Sequence, residues 1–461
     1  MSGTICRLRV TLLAALIVLT GALPAAAMPR IQQITSPGGM TAWLVEEPAI
    51  PLVAMRAWFP GGAASDPDDR IALSLLATSL LDEGAGDLDS LAFQTRLEDL
   101  SIRLSFQSDQ DGIDVRLSTL AEHKAEAFDL LGLALAEPRF DDAAVERVRQ
   151  QIAVAQVRRL DDPNTVASET WSALAFPGHP YGRSEYGTPE TLAAITRADL
   201  KAFAAERLRR GGLLIAIVGD VDATEAGTLL DAAFGALPAS DGPPPPPPIA
   251  AAAGLHVVER AFPQSVVQFG LPGIGREDPD WYAATILNHI LGGGSFTARL
   301  TREIRVERGL AYSVDTALVP WPGRPLLVGF LATENASVAQ SLDLVRKGVA
   351  EMAKDGVSAE ELSDAQTYLT GSFPLSLDSN AGIAAVLLQM RRFNLPPEHL
   401  EARTALIESV TREDVARVAA RMLDPDRLLT VVVGQPEGVA GAIVSPPAGS
   451  TNEEAPVPEG R

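Results

Sequence analysis

Two stretches of this chain carry the same landmarks in the same order at nearly one spacing, and that repetition limits the fold more than any other feature. Phe59-Pro60-Gly61-Gly62 leads to Asp66-Pro67-Asp68 and an apolar run; in the second half Leu271-Pro272-Gly273-Ile274 leads to Asp278-Pro279-Asp280 and another. Thr196-Arg197-Ala198-Asp199-Leu200 stands before the apolar run 213–219, and Thr411-Arg412-Glu413-Asp414-Val415 stands before 428–434 in the same way. Four landmarks matched in order, with almost the same step between partners each time, mean a tandem duplication, so the chain has to fold as two copies of one unit. Its 461 residues have room for both copies, each with a core of its own.

The copies meet at a proline run, 243–248, which removes backbone donors and favours an extended spacer. The expected organisation is a leader over 1–27, a first domain over 28–238, a linker over 239–254, a second domain over 255–440 and a disordered tail over 441–461. Residues 53–59 and 266–271 pattern as strands, and 102–106 pairs with 113–117 across a polar turn as an antiparallel hairpin. Residues 71–81, 142–159 and 338–353 have helical periodicity. Strands mixed with helical pairs predict an α+β fold, two homologous α/β-sandwich domains in which an antiparallel sheet packs against helices.

Arg7 and Arg9, the apolar residues 10–23 and then Ala25-Ala26-Ala27 have the layout of a cleaved export signal. The apolar run is shorter than the roughly 18–20 residues of a spanning helix. Cys6, the sole cysteine, lies inside this leader, so the mature chain is expected to depend on packing and not on disulfides. The expected location is the periplasm, with no membrane contact once the leader is removed. A formal charge of −21 lacks the basic footprint that phosphate binding needs, which argues against a nucleic-acid partner.

Metal and nucleophile chemistry is poorly supplied. A zinc hydrolase advertises two histidines one helical turn apart with a carboxylate beside them. The five histidines here (His123, His179, His256, His289, His399) include no such pair. There is no Gly-x-Ser-x-Gly elbow, and Gly292-Gly293-Gly294 lacks the Lys-Ser/Thr of a phosphate loop and reads as a helix-breaking turn.

Residues 291–314, reading LGGGSFTARLTREIRVERGLAYSV, together with 176–182 (FPGHPYG) and 160–163 (LDDP), resemble the pitrilysin/insulinase family of metallopeptidases. The likeness runs over about 31–435 and is to the short bacterial branch, similar to the mitochondrial processing peptidase, that works as two-chain assemblies. Active members carry His-x-x-Glu-His on the first long helix. The matching place here reads Ser74-Leu75-Leu76-Ala77-Thr78, and the family's third ligand, a glutamate, falls near Val154 or Ala155. The resemblance therefore implies no metal and no cofactor in this chain.

The resemblance also matches Arg305 and Tyr312 to the arginine and tyrosine that reach across the chamber to the metal site in active relatives. A guanidinium and a phenol are suitable donors for a peptide carbonyl that is becoming an oxyanion. The residue chemistry alone equally allows Arg305 to pair with Glu303 or Glu307, and Tyr312 to pack in the core. The implied function is that of a metal-free subunit, inactive alone, in a heterodimer whose zinc-binding insulinase-family partner carries His-x-x-Glu-His and acts with it on a peptide substrate. The alternative is a non-catalytic peptide-binding or complex-assembly protein of the same fold.

Overall fold

The computed structural model describes residues 28–240, 253–321 and 323–445. The expected leader, the proline run of the linker and the tail beyond 445 lie outside the described residues.

Each unit is built on a six-stranded sheet. In the first, β1 (Gln32–Thr35), β2 (Thr41–Glu46), β3 (Leu52–Pro60), β4 (Arg103–Ser108), β5 (Gly112–Leu120) and β6 (Leu214–Gly219) take the order β1-β2-β6-β3-β5-β4. In the second, β7 (Gly254–Glu259), β8 (Gln264–Pro272), β9 (Ala311–Val319), β10 (Leu326–Glu334), β11 (Leu429–Gly434) and β12 (Ala442–Ile443) take the order β12-β7-β11-β8-β10-β9. Exchanging β2 for β7, β3 for β8, β4 for β9, β5 for β10 and β6 for β11 turns one order into the other. The duplication is thus a repeat of topology. The expected hairpin forms in register, with Leu104 opposite Leu117 and Phe106 opposite Val115.

The sheets differ only in their first-placed strand. β1 runs antiparallel to β2, whereas β12 comes from the other end of the chain and runs parallel to β7. The expected tail over 441–461 is corrected here: Ala442 and Ile443 lie opposite His256 and Val257, because the open edge of β7 offers unpaired backbone groups to the passing chain.

The helices of the first unit are α1 (Leu73–Thr78), α2 (Ser90–Asp99), α3 (Lys124–Ala136), α4 (Asp142–Leu160), α5 (Pro163–Ala175), α6 (Pro189–Ala194), α7 (Arg197–Arg207) and α8 (Ala223–Phe234). Those of the second are α9 (Trp281–Asn288), α10 (Val338–Asp355), α11 (Ala359–Gly371), α12 (Asn380–Arg392), α13 (His399–Glu408) and α14 (Arg412–Met422). The repeated Thr-x-x-Asp landmarks are capping boxes: Thr196 with Asp199 starts α7, and Thr411 with Asp414 starts α14. The helix expected over 71–81 is shorter, because Ala72 has a left-handed φ of 84° and α1 ends at Thr78.

The apolar runs β6 and β11 are buried on both faces, as continuous hydrophobic strands require. Each inner face packs on its own unit's helices: Met55, Phe59 and Ile217 in the first core, Val267, Phe269 and Val432 in the second. The outer faces are covered reciprocally. Helix α5 lays Val166, Ala167 and Trp171 onto Val266, Val431 and Val433 of the second sheet. Helix α12, which holds the equivalent place in the second copy, lays Ile383, Ala384 and Leu387 onto Trp43, Ala216 and Val218 of the first. The domain boundary drawn from sequence separates the sheets but not the layers, because each sheet takes its outer cover from the other copy.

Candidate functional site

The segment after α9 carries the two residues singled out above. Leu300 and Ile304 are fully buried beneath it, and Thr301 donates its hydroxyl to Val314 O at 2.8 Å, tying the turn to β9. The spacing of Phe296, Leu300 and Ile304 is that of one face of a regular helix ending near Gly309, but the structure instead has a 3-10 turn at Ser295–Thr297 followed by a π-helical stretch at Thr301–Val306. The change of period rotates Phe296 off the buried face and leaves it 60 % exposed. Gly309, at φ 62°, reverses the chain, with its N–H on Arg305 O and that of Leu310 on Ile304 O.

This reversal brings Arg305 and Tyr312 together. The Arg305 guanidinium carbon lies 5.4 Å from the Tyr312 ring centroid and 4.7 Å from that of Phe296. Both distances are in cation–π range, so two rings hold the side chain while its N–H groups stay available. Tyr312, on edge strand β9, is 78 % exposed and is not a core residue. Nor does Arg305 take either neighbouring carboxylate: Glu303 pairs with Arg308 and Lys347, and Glu307 with Arg302 and Arg308.

The place where relatives carry metal ligands is filled differently. Ser74 is buried and donates its backbone N–H and its hydroxyl to Asp66 at 2.9 and 2.6 Å. Arg207, from α7, donates to Ser74 Oγ at 3.4 Å, to Gly61 O and Gly62 O at 2.9 Å each, and to Ser65 O at 2.7 Å. Its guanidinium also stands 3.5 Å from Asp66. Burial pushes the Asp66 carboxyl up, against the pull of Ser74 and Arg207. The Thr78 hydroxyl is spent on Ser74 O at 2.8 Å, Leu76 and Ala77 are core, and Val154 is exposed on α4. These residues do not fit a zinc ion: their oxygens are committed to one another and no imidazole is present. Among the described residues no group of three or more His, Cys, Asp or Glu side chains is placed to hold a metal. Sequence reading missed this cluster because Asp66, Ser74 and Arg207 meet only in the fold.

Where the units meet, a cleft of about 930 Å³ opens beside the FPGHPYG segment. Phe176, Tyr181 and Trp321 form an aromatic cluster with centroids 5.3–5.5 Å apart. Tyr181 donates to Asp111, and burial together with that carboxylate pushes the phenol's pKa up. Arg392, from α12, lies over the Trp58 ring at 4.8 Å and pairs with Asp109 at 3.3 Å. The segment's aromatics therefore serve the joint between the copies.

Residues 194–369 match the model of the Peptidase M16 inactive domain. The chain is 28 % identical to the Helicobacter pylori protein named Non-peptidase homolog YmxG, over 72 % of this chain and 77 % of that one. It is 27 % identical to an uncharacterized zinc protease of Mycobacterium leprae, over 87 % and 91 % of the two chains. The crystal structure of a peptidase M16 inactive domain from Pseudomonas fluorescens superposes with a TM-score of 0.84 at 28 % identity, covering 90 % of this chain and all of that one. In sequence over its second half and in fold, the chain is similar to the inactive domain of M16 peptidases. An M16 inactive domain thus supplies both a sequence likeness and the architecture described above. No described helix is long and apolar enough to cross a membrane.

Proposed function

We propose that this chain is the metal-free subunit of a heterodimeric periplasmic zinc peptidase, in which an M16 partner bearing His-x-x-Glu-His supplies the metal, the water and the base. This chain contributes half of the peptide chamber, together with Arg305 and Tyr312. The observation that carries the reading is the contrast between its two candidate places. At 74–78 every polar side chain is consumed internally, whereas Arg305 and Tyr312 are held side by side, with no ion pair among the described residues and with the phenol in solvent. Two oriented donors without an acceptor among the described residues suit a carbonyl oxygen that gains charge during attack.

The test is co-expression with a candidate zinc-binding partner, followed by size-exclusion chromatography and a peptide-cleavage assay with and without chelator. The mixed pair should co-elute and cleave, chelator should abolish cleavage, and the single chain should be inert. Equal activity from the single chain and the pair would overturn the reading. The name Non-peptidase homolog on the Helicobacter pylori relative favours a second reading, a peptide-binding or assembly protein without catalysis. That reading expects peptide binding by the single chain and no gain of cleavage on mixing.

A further inference from the structure

A second cavity, of about 360 Å³, lies between β9, the start of α9 and the helices α12 and α13. Its walls are apolar, with Leu318, Phe373, Val386, Met390, Leu395 and Leu400 facing it. Two arginines break this surface. The Arg276 guanidinium lies over the Trp281 ring at 4.8 Å and near that of Tyr282 at 5.7 Å. Arg403 lies over Phe373 at 4.1 Å and donates to Leu369 O at 3.1 Å. Between their helices, His399 Nε2 and the Tyr282 hydroxyl share a hydrogen bond of 2.7 Å.

Neither arginine forms an ion pair with any Asp or Glu among the described residues, in a chain where acids outnumber bases by 59 to 38. Withdrawn guanidinium groups are normally paired, since removal from water without a counter-charge costs several kcal/mol. Both line the one pocket, and burial lowers the pKa of both. Arg276 has the Tyr282 hydroxyl and Arg403 the Leu369 carbonyl as polar partners, but no described carboxylate balances either charge, and an anion in the pocket would do so. The rest of the lining restricts what that anion is attached to. A peptide would bring an N–H and a C=O with every residue, each needing a partner, and apart from the two arginines, Gln389 and the His399 already bonded to Tyr282, the lining side chains are apolar. The volume is at the small end of ligand cavities, roughly 300–1,000 Å³.

We propose that this pocket binds a single-chain carboxylate amphiphile, with the carboxylate between Arg276 and Arg403 and the hydrocarbon tail along Leu318, Val386, Met390 and Leu400. The rings of Trp281 and Phe373 hold the two guanidinium groups in place for the head group. This site is independent of the pairing proposed for Arg305 and Tyr312.

The test is calorimetric titration of the full chain with dodecanoate, dodecanol and dodecylammonium. Dodecanoate should bind at one saturable site, dodecanol about tenfold or more weakly, and dodecylammonium not at all, because only the carboxylate satisfies both guanidinium groups. Arg276→Gln and Arg403→Gln should each weaken dodecanoate by about tenfold and leave dodecanol unchanged. Equal binding of dodecanoate and dodecanol, or no binding of either, would overturn the proposal. Displacement of dodecanoate by an apolar peptide with an amidated C-terminus would also do so, by assigning the pocket to peptide. Should a variant fail to fold, the head-group series on the unaltered protein decides by itself.

Discussion

Replacing Trp171 by alanine tests whether the two copies truly cover each other. The ring is 3 % exposed, lies so close over Gly270 that a Cβ there would come within 2.4 Å of Cζ2, and donates Nε1 to Leu429 O at 3.1 Å. Loss of a buried tryptophan costs roughly 3–5 kcal/mol once the cavity is included. The lost hydrogen bond supplies about 1 kcal/mol of that. Because the ring sits between α5 and the second sheet, this cost falls on the opening of that face. At about 1.4 kcal/mol per decade, amides of β8 and β11 should exchange roughly two to three and a half decades faster, while β3 and β6, covered by α12, keep their protection. Hydrogen–deuterium exchange read by mass spectrometry resolves the two sheets. Equal acceleration in both sheets, or none in the second, would refute the reciprocal cover. Leu387→Ala should give the opposite pattern, with the first sheet losing protection.

Other outcomes follow from the sites. Arg305→Ala and Tyr312→Phe should leave thermal unfolding unchanged, since both groups sit outside the core. Each should lower turnover by the mixed pair by roughly 10–1000-fold, the range for lost transition-state donors. Arg207→Met should destabilise the chain by roughly 3–5 kcal/mol in denaturant titrations, because it strands Asp66 and three carbonyls in the interior. Arg299 donates twice to Glu361 at 2.7 Å and holds its carboxyl at about 2, down from 4.5. A carboxylate whose pKa is depressed on folding stabilises the protein above its unfolded value, and this is lost as pH falls through the folded one. The stability deficit of Glu361→Gln should therefore be full near pH 6 and shrink between about pH 4.5 and 2.

What the sequence disclosed was whatever depended on short-range pattern. The duplication, the pairing of 102–106 with 113–117 as a hairpin and the long helices α4 and α10 were all legible, because capping boxes and alternation act over a few residues. The joint was not. The apolar stripe Val166, Ala167, Trp171 announces burial without saying against which sheet, and the strands it meets, β8 and β11, belong to the other copy. Phe296 was misplaced because its spacing from Leu300 and Ile304 assumes an unbroken α-helix, which the π-helical stretch denies. Arg305 and Tyr312 were singled out through the family resemblance. Arg276 and Arg403, far apart in the chain, leave no local signal, because only the fold brings them to one pocket.

The exchange of α5 and α12 also limits how such a molecule can move. Two lobes that each hold the other's roof cannot scissor about the strip of chain between them without stripping aromatic and aliphatic side chains into water. On the proposed pairing, a gape wide enough to admit a polypeptide would then be made between this body and its partner, with whole molecules as the moving parts.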